Sequence, residues 1–128
     1  MKVLDTDILI GLLRKNKDAI NKLVELEGED IAITVFSWQE LLFGPAVTEN
    51  EEEFKIVLEL LNSYKFLNYE KDATFYTVKI LTHLKKSGRS IGLIDEMIAG
   101  ICLRYNAAIV TRNVEHFSRI PKLNVESW

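Results

Sequence analysis

The stretch MKVLDTDILI, Met1 to Ile10, decides the fold. Lys2-Val3-Leu4 is short and apolar, as a strand buried on both faces would be. Asp5-Thr6-Asp7 then interrupts it with residues that cap helices. Ile8, Leu9, Leu12 and Leu13 follow at the spacing of one helix face. A buried strand that runs straight into a helix is the opening unit of a parallel α/β sheet.

The same unit recurs outward along the chain. A helix is expected from Asp18 to Leu26, ended by Gly28. Ile31-Ala32-Ile33, extended through Val35, reads as a second strand. A helix from Phe36 to Phe43 follows, with Ser37 as its cap and Gly44-Pro45 as its stop. Phe54 to Tyr64 is amphipathic and Phe66-Leu67 is a short strand. Ala73 to Lys86 is a further amphipathic helix, and Ser87-Gly88-Arg89-Ser90 a loop. Leu93 to Tyr105 carries the clearest helical periodicity, through Ile94, Met97, Ile98, Ile101, Cys102 and Tyr105. Ala107 to Val110 is a buried strand, and Leu123-Asn124-Val125 an edge strand. Without repeat or linker, the 128 residues are expected to form one domain.

Composition narrows the function. Hydrophobic residues make up 48% and charged residues 27%, ordinary for a folded protein. No apolar run reaches the roughly 20 residues of a membrane span, and MKVLDTD meets an acid too soon for a signal peptide. A cytoplasmic protein with no membrane partner is therefore expected. One cysteine, Cys102, excludes an internal disulfide and reads as a buried apolar residue. With His83 and His116 it is spaced wrongly for zinc. The net charge of −3 excludes a bulk nucleic-acid binder. The charge is uneven, however: Lys79, Lys85, Lys86 and Arg89 lie in a segment without acids, suited to steering a phosphate backbone.

In parallel sheets, ligands sit beyond the C-terminal ends of the strands. Asp5 follows the first strand, Glu40 lies on the helix after the second, and Asp95 opens the helix before the last core strand. Thr111-Arg112-Asn113 follows Val110. Each residue has a plainer alternative. Asp5 and Asn113 can cap helices, Ser37-x-x-Glu40 fits a capping box, and Asp95 gains from a helix dipole. Together they describe clustered carboxylates whose mutual repulsion a hard divalent cation relieves, Mg²⁺ or Mn²⁺ by ligand type. Such ions activate water for attack on a phosphodiester. Asn113 supplies an amide oxygen or orients water without adding charge.

Four stretches carry a family resemblance: LDTDILI (Leu4–Ile10), SWQELLFG (Ser37–Gly44), IGLIDEMIAG (Ile91–Gly100) and TRNVEHF (Thr111–Phe117). In this order and spacing they resemble the PIN-domain family, in particular the VapC-type toxins of toxin–antitoxin pairs. The resemblance covers essentially the whole chain. It implies a Rossmann-like PIN domain with a central parallel sheet of four to five strands and helices on both faces. It further implies Mg²⁺- or Mn²⁺-dependent endoribonuclease activity, homodimerisation and a cognate VapB-type antitoxin. Asp5, Glu40 and Asp95 match family acids. Asn113 stands where many relatives carry Asp, which favours one firmly held metal ion over two. Thr6, and Thr34 or Ser37, match small hydroxyl positions lining the site; Thr111 is a further lining candidate, and Arg112 a candidate phosphate contact. Glu96, about 100° round the helix from Asp95, is expected to face away, and Asp7 has no assigned role.

Three rival readings exist. A phosphoacceptor receiver would need adjacent acids after strand 1 and a lysine after the last core strand; here Thr6 separates Asp5 from Asp7, and Thr-Arg-Asn follows Val110. A nucleotide-binding glycine loop is absent. A PIN-like RNA- or protein-binding module of weak catalysis is the serious alternative. The dense apolar run Phe36, Trp38, Leu41, Leu42 and Phe43 reads either as core or as a groove for an amphipathic partner segment, which the resemblance makes an antitoxin.

Overall fold

Five short strands pair in the order β3-β2-β1-β4-β5, every neighbour parallel, in a computed structural model that describes residues 1–128. The strands are β1 (Lys2–Leu4), β2 (Ile31–Thr34), β3 (Lys65–Leu67), β4 (Ala108–Val110) and β5 (Asn124–Glu126). The helices are α1 (Thr6–Leu13), α2 (Lys17–Glu25), α3 (Val35–Val47), α4 (Glu51–Asn62), α5 (Lys71–Ser87), α6 (Leu93–Arg104) and the single turn α7 (Val114–Phe117).

Alternation along the strands builds two cores. Val3, Ala32 and Ile109 face one side, where they pack on Ile80, Leu84, Ile98 and Cys102 of α5 and α6. Leu4, Ile33 and Val110 face the other side and meet Ile8, Leu9, Ala19, Leu41 and Leu61 of α1 to α4. The three central strands are thus covered on both faces, which explains their unbroken apolar character. The expected parallel α/β sheet is the observed one, with five strands.

Three local expectations are corrected around α3. The cap is Thr34, whose Oγ1 accepts the Ser37 amide at 3.3 Å, so the helix starts at Val35 and the strand stops one residue earlier than expected. Ser37 is therefore not the cap, and the Ser37–Glu40 capping box does not form. Gly44-Pro45 does not end the helix, which continues to Val47. Proline removes one donor, but it sits within the last turn and its ring is buried. The donor it lacks is the one Leu41 O would accept, so one intrahelical bond is lost, while the helix's last carbonyls, Gly44 O and Pro45 O, accept the Thr48 and Asn50 amides at 3.2 and 3.0 Å.

Chain order turns back across β1. From β1 the chain steps outward through β2 to β3, then crosses to β4 on the other side of β1 and out to β5. The gap beyond the C-terminal ends of β1 and β4 is thus the topological switch point, the usual ligand crevice of an open α/β sheet.

Candidate active site

Asp5 sits at that crevice, directly after β1, and Thr111 directly after β4. The Asp5 amide donates to Val110 O at 3.0 Å, tying the two strand ends together. Thr111 Oγ1 donates to Asp5 Oδ2 at 2.7 Å and lies 3.2 Å from Asp7 Oδ2, while the Asn113 amide donates to the same hydroxyl at 3.0 Å. Asp5 Oδ1 accepts the Thr6 amide at 2.8 Å. Asp5 is therefore both the cap of α1 and a site carboxylate; the two readings do not compete.

Glu40 reaches the crevice from α3. Thr6 Oγ1 donates to Glu40 Oε2 at 2.9 Å and lies 3.1 Å from Ser37 Oγ. Thr34, Ser37 and Thr111 are fully buried polar side chains at the site's floor. Asp95, on the first turn of α6, approaches from the opposite wall, where Asn113 Nδ2 lies 3.4 Å from Asp95 Oδ2 and 3.0 Å from His116 Nδ1. Two threonines and one asparagine thus join Asp5, Glu40 and Asp95 into one polar site.

The electrostatics follow from this crowding. Burial pushes the Asp5 carboxyl up to about 6, helped by the charges of Asp7 and Asp95 and opposed by the bonds from Thr111 and Thr6. Burial also raises Asp95; His116 opposes the shift, and Glu40, Glu96 and Asp7 add to it. Groups held in this way are costly as bare anions and become less so when a cation neutralises them. No three His, Cys, Asp or Glu side chains close into a ready-made metal cage. The donor set of Asp5, Glu40 and Asp95 nevertheless fits a hard cation that keeps several waters and takes few direct carboxylates, the habit of Mg²⁺.

Other side chains fall differently from the sequence reading. Asn113 presents its amide nitrogen to Asp95 and His116, so here it aligns an acid. Arg112 turns its guanidinium away from the acids: it stacks 3.7 Å from the centre of the Trp128 ring and lies 3.4 Å from Asp18 Oδ2. Asp7 acquires a role, accepting the Arg112 amide at 2.8 Å and Trp128 Nε1 at 2.9 Å, which fastens the final residues beside the site. Glu96 is buried and accepts from Ser90 Oγ (2.9 Å) and the Ile91 amide (3.3 Å), holding the loop before α6. Neither Glu96 nor His116 was assigned a site role from sequence. For His116, the signal available was its spacing three residues after Asn113 on a helical turn.

A cleft of about 510 Å³ borders the acids, walled by Phe36, Phe43 and Ile94 with Glu40 and Asp95. Of the dense apolar run on α3, Leu41 enters the core and Trp38 packs edge-on against Phe66 at 5.4 Å. Phe43 remains 68% exposed, so the run is part core and part cleft wall.

Removing the Thr111 hydroxyl offers a direct probe of this floor. Thr111→Val leaves the Asp5 carboxylate without its shortest partner. The expected result is a loss of about 1–3 kcal/mol of stability near neutral pH, with a smaller loss at about pH 4.5, where Asp5 is protonated. Denaturant melts at the two pH values measure it; equal losses at both would contradict the assignment.

A parallel sheet in this strand order, with carboxylates gathered at its switch point, is the architecture of a PIN domain, and residues 2–123 match that family. The chain belongs to the PIN-domain family. Within it, the full-length likeness is to VapC-type proteins. The chain is 31% identical to Ribonuclease VapC2 of Rickettsia felis over 129 residues, covering 98% of this chain and 96% of the relative. It is 28% identical to the tRNA(fMet)-specific endonuclease VapC of Salmonella typhimurium over 127 residues, with the same coverage. Among solved structures, that of VapBC2 from Rickettsia felis bound to a promoter DNA fragment superposes with a TM-score of 0.88 at 30% identity, covering 99% of this chain and 98% of that one. VapBC-1 from nontypeable Haemophilus influenzae gives 0.87 at 28% identity, covering 99% and 97%.

Proposed function

We propose that the chain is an endoribonuclease that uses Mg²⁺ or Mn²⁺ and serves as the toxin of a toxin–antitoxin pair. The observation that carries the reading is the gathering of Asp5, Glu40 and Asp95 at the switch point, on a chain whose full-length relatives are named ribonucleases. Asp5, Glu40 and Asp95 would hold the cation directly or through water. When bound, the cation supplies water activation and charge stabilisation for in-line cleavage of a phosphodiester.

The remaining chemistry belongs to the protein. Thr6 orients Glu40, Thr111 orients Asp5, and Asn113 with His116 orients Asp95. Such outer partners fix the direction in which each oxygen presents its lone pairs. Thr34 and Ser37 complete the floor. Arg112 stands at the rim; its exposed pair with Asp18 is worth little, so its guanidinium is free to exchange that partner for a substrate phosphate. The apolar cleft of Phe36, Phe43 and Ile94 takes an antitoxin segment of the VapB type, and two copies of the chain form the homodimer. The site acts in the cytoplasm, as one domain spanning residues 1–128.

The test is cleavage of a panel of RNAs with Mg²⁺ or Mn²⁺ by the wild type, Glu40→Gln and Asp95→Asn, with and without chelator. Chelation is expected to stop cleavage and added metal to restore it. Undiminished activity in either variant, or in chelator, would sink the assignment. Purification from the native host tests the partner: a small DNA-binding protein in near-equal amount is expected, and its absence counts against the cleft.

A further inference from the structure

A second concave site lies at the far end of α6. Its volume is about 370 Å³, and its floor is the buried Ile80 with Leu103 and Pro121. Around the rim stand Tyr76, Lys79 and His83 of α5 and Lys122 of the turn before β5. No acid lines it. None of the ion pairs in the molecule uses Lys79, His83 or Lys122. Other lysines are unpaired as well, but here two of them, Lys79 and Lys122, stand round one apolar floor. Unpaired cations around an apolar floor, on a chain of net charge −3, form a site for an anion with an apolar body.

The rings give that body a shape. Lys79 Nζ lies 5.9 Å from the centre of the Tyr76 ring, and His83 follows Lys79 by four residues on the same helix face. An exposed aromatic flanked by cations is the recurring platform for a stacked base and its phosphate in single-stranded nucleic acid. The volume suits one nucleotide and is small for a folded peptide segment. Asp95 and Leu103 lie about 12 Å apart along α6 at 1.5 Å per residue. A strand held at the acids therefore needs only modest length to reach the pocket. The acids themselves repel phosphates, so a long substrate gains from a cationic anchor away from them.

We propose that the pocket of Tyr76, Lys79, His83 and Lys122 is a second RNA-binding subsite, which holds one nucleotide of the substrate outside the cleavage centre. This rests on the reading of the chain as an RNA-cleaving enzyme. Lys79 and Lys122 contact the phosphate, and Tyr76 stacks on the base. The pocket sets KM for long substrates and leaves the chemical step untouched.

The test compares Lys79→Glu/Lys122→Glu with a charge-matched control, Lys17→Glu/Lys55→Glu, both exposed and unpaired. Binding of a labelled single-stranded oligoribonucleotide is measured by anisotropy in an Asp95→Asn background. The pocket variant is expected to bind on the order of 10–100-fold more weakly, with a salt slope shallower by about 0.7, for the one phosphate that the two lysines neutralise. Tyr76→Ala is expected to weaken binding roughly tenfold with the slope unchanged. With Asp95 restored, KM for the long RNA rises while kcat, and cleavage of a dinucleoside phosphate, stay at the wild-type level. Equal weakening in the control, an unchanged slope, a matching loss of duplex DNA binding or an altered assembly state would each overturn the proposal. A wild type that binds RNA through the pocket yet cleaves none would overturn the catalytic reading alone. One that cleaves RNA with KM indifferent to both lysines would overturn the pocket alone.

Discussion

Asp5→Asn is expected to abolish RNA cleavage and, at the same time, to make the metal-free protein more stable near neutral pH. The two effects have one cause. The Asp5 carboxyl titrates at about 6 in the folded chain against 3.8 for the free side chain. A group whose folded value is raised stabilises the fold below the unfolded value, and that contribution is lost as pH rises from about 4 through 6. At about pH 7.5 the anion therefore costs roughly 3 kcal/mol relative to acid conditions, at ~1.4 kcal/mol per unit. Asparagine carries no charge to bury and keeps an oxygen for the Thr6 amide. It is expected to recover about 2–3 kcal/mol at about pH 7.5, close to 10 °C in Tm for a chain of this size. Below about pH 4 the two proteins converge. Because Asp72, Glu115 and Glu126 are lowered and so act in the opposite sense, the difference between wild type and variant is the quantity to read. Added Mg²⁺ is expected to stabilise the wild type and leave the variant unmoved. Loss of an outer partner typically costs 10–100-fold in metal affinity or activity, so loss of a ligand is expected to exceed ~100-fold. A variant less stable than wild type in chelator at about pH 7.5 would sink the electrostatic account; one that cleaves RNA normally would sink the metal account.

That trade between stability and chemistry also bears on what the sequence disclosed. The parallel sheet was legible because β1, β2 and β4 are buried on both faces, and only continuous apolar runs satisfy that. The acids were readable as candidates because Asp5 and Glu40 come soon after β1 and β2 and Asp95 opens α6, the helix that leads into β4, beside the switch point that strand order fixes. The cap of α3 was not: Thr34 and Ser37 are both good cap residues, and the choice depends on where β2 stops pairing with β3, at Thr34 opposite Leu67. The passage of α3 through Pro45 was equally hidden, because Gly-Pro is an ordinary stop signal and only the fold shows the ring buried within a helix that carries on to Val47. Asp7 and Trp128 lie 121 residues apart and meet only through the fold, so no local pattern announces them. Helical phase turned Glu96 away from Asp95 by about 100°, but phase alone does not reveal a buried carboxylate that clasps Ser90 and Ile91.

Gly100→Val is expected to loosen the dock of α6 on α5 and to weaken the acid site with it. A β-carbon on Gly100 would stand 2.0 Å from Thr77 Oγ1, 3.2 Å from Thr77 Cβ and 3.2 Å from Ala73 O. The first contact is impossible, and its partner cannot easily move: Thr77 lies in α5 with its hydroxyl bonded to Ala73 O at 3.2 Å, and a helical threonine has only two good rotamers. Ala73 O is main chain. The helices must therefore separate, at an overpacking cost of about 1–3 kcal/mol for the first methyl, offset by up to ~1 kcal/mol of helix propensity. Gly100→Ala is expected to lose about 1–2 kcal/mol and Gly100→Val about 3 kcal/mol or more. A double-mutant cycle isolates the clash. In a Thr77→Ala background, which removes Oγ1 and leaves the 3.2 Å contacts, Gly100→Ala is expected to recover about half its cost. Full additivity of the two substitutions would show that the close approach is not what limits this position. The functional readout follows from geometry: Asp95 lies five residues before Gly100 on the same helix, and its distance from Asn113 is fixed by how deeply α6 is seated. Gly100→Ala, measured well below its Tm, is therefore expected to keep its fold and bind Mg²⁺ more weakly. On the proposed reading, a residue with no side chain would thus set the position of a metal-holding carboxylate.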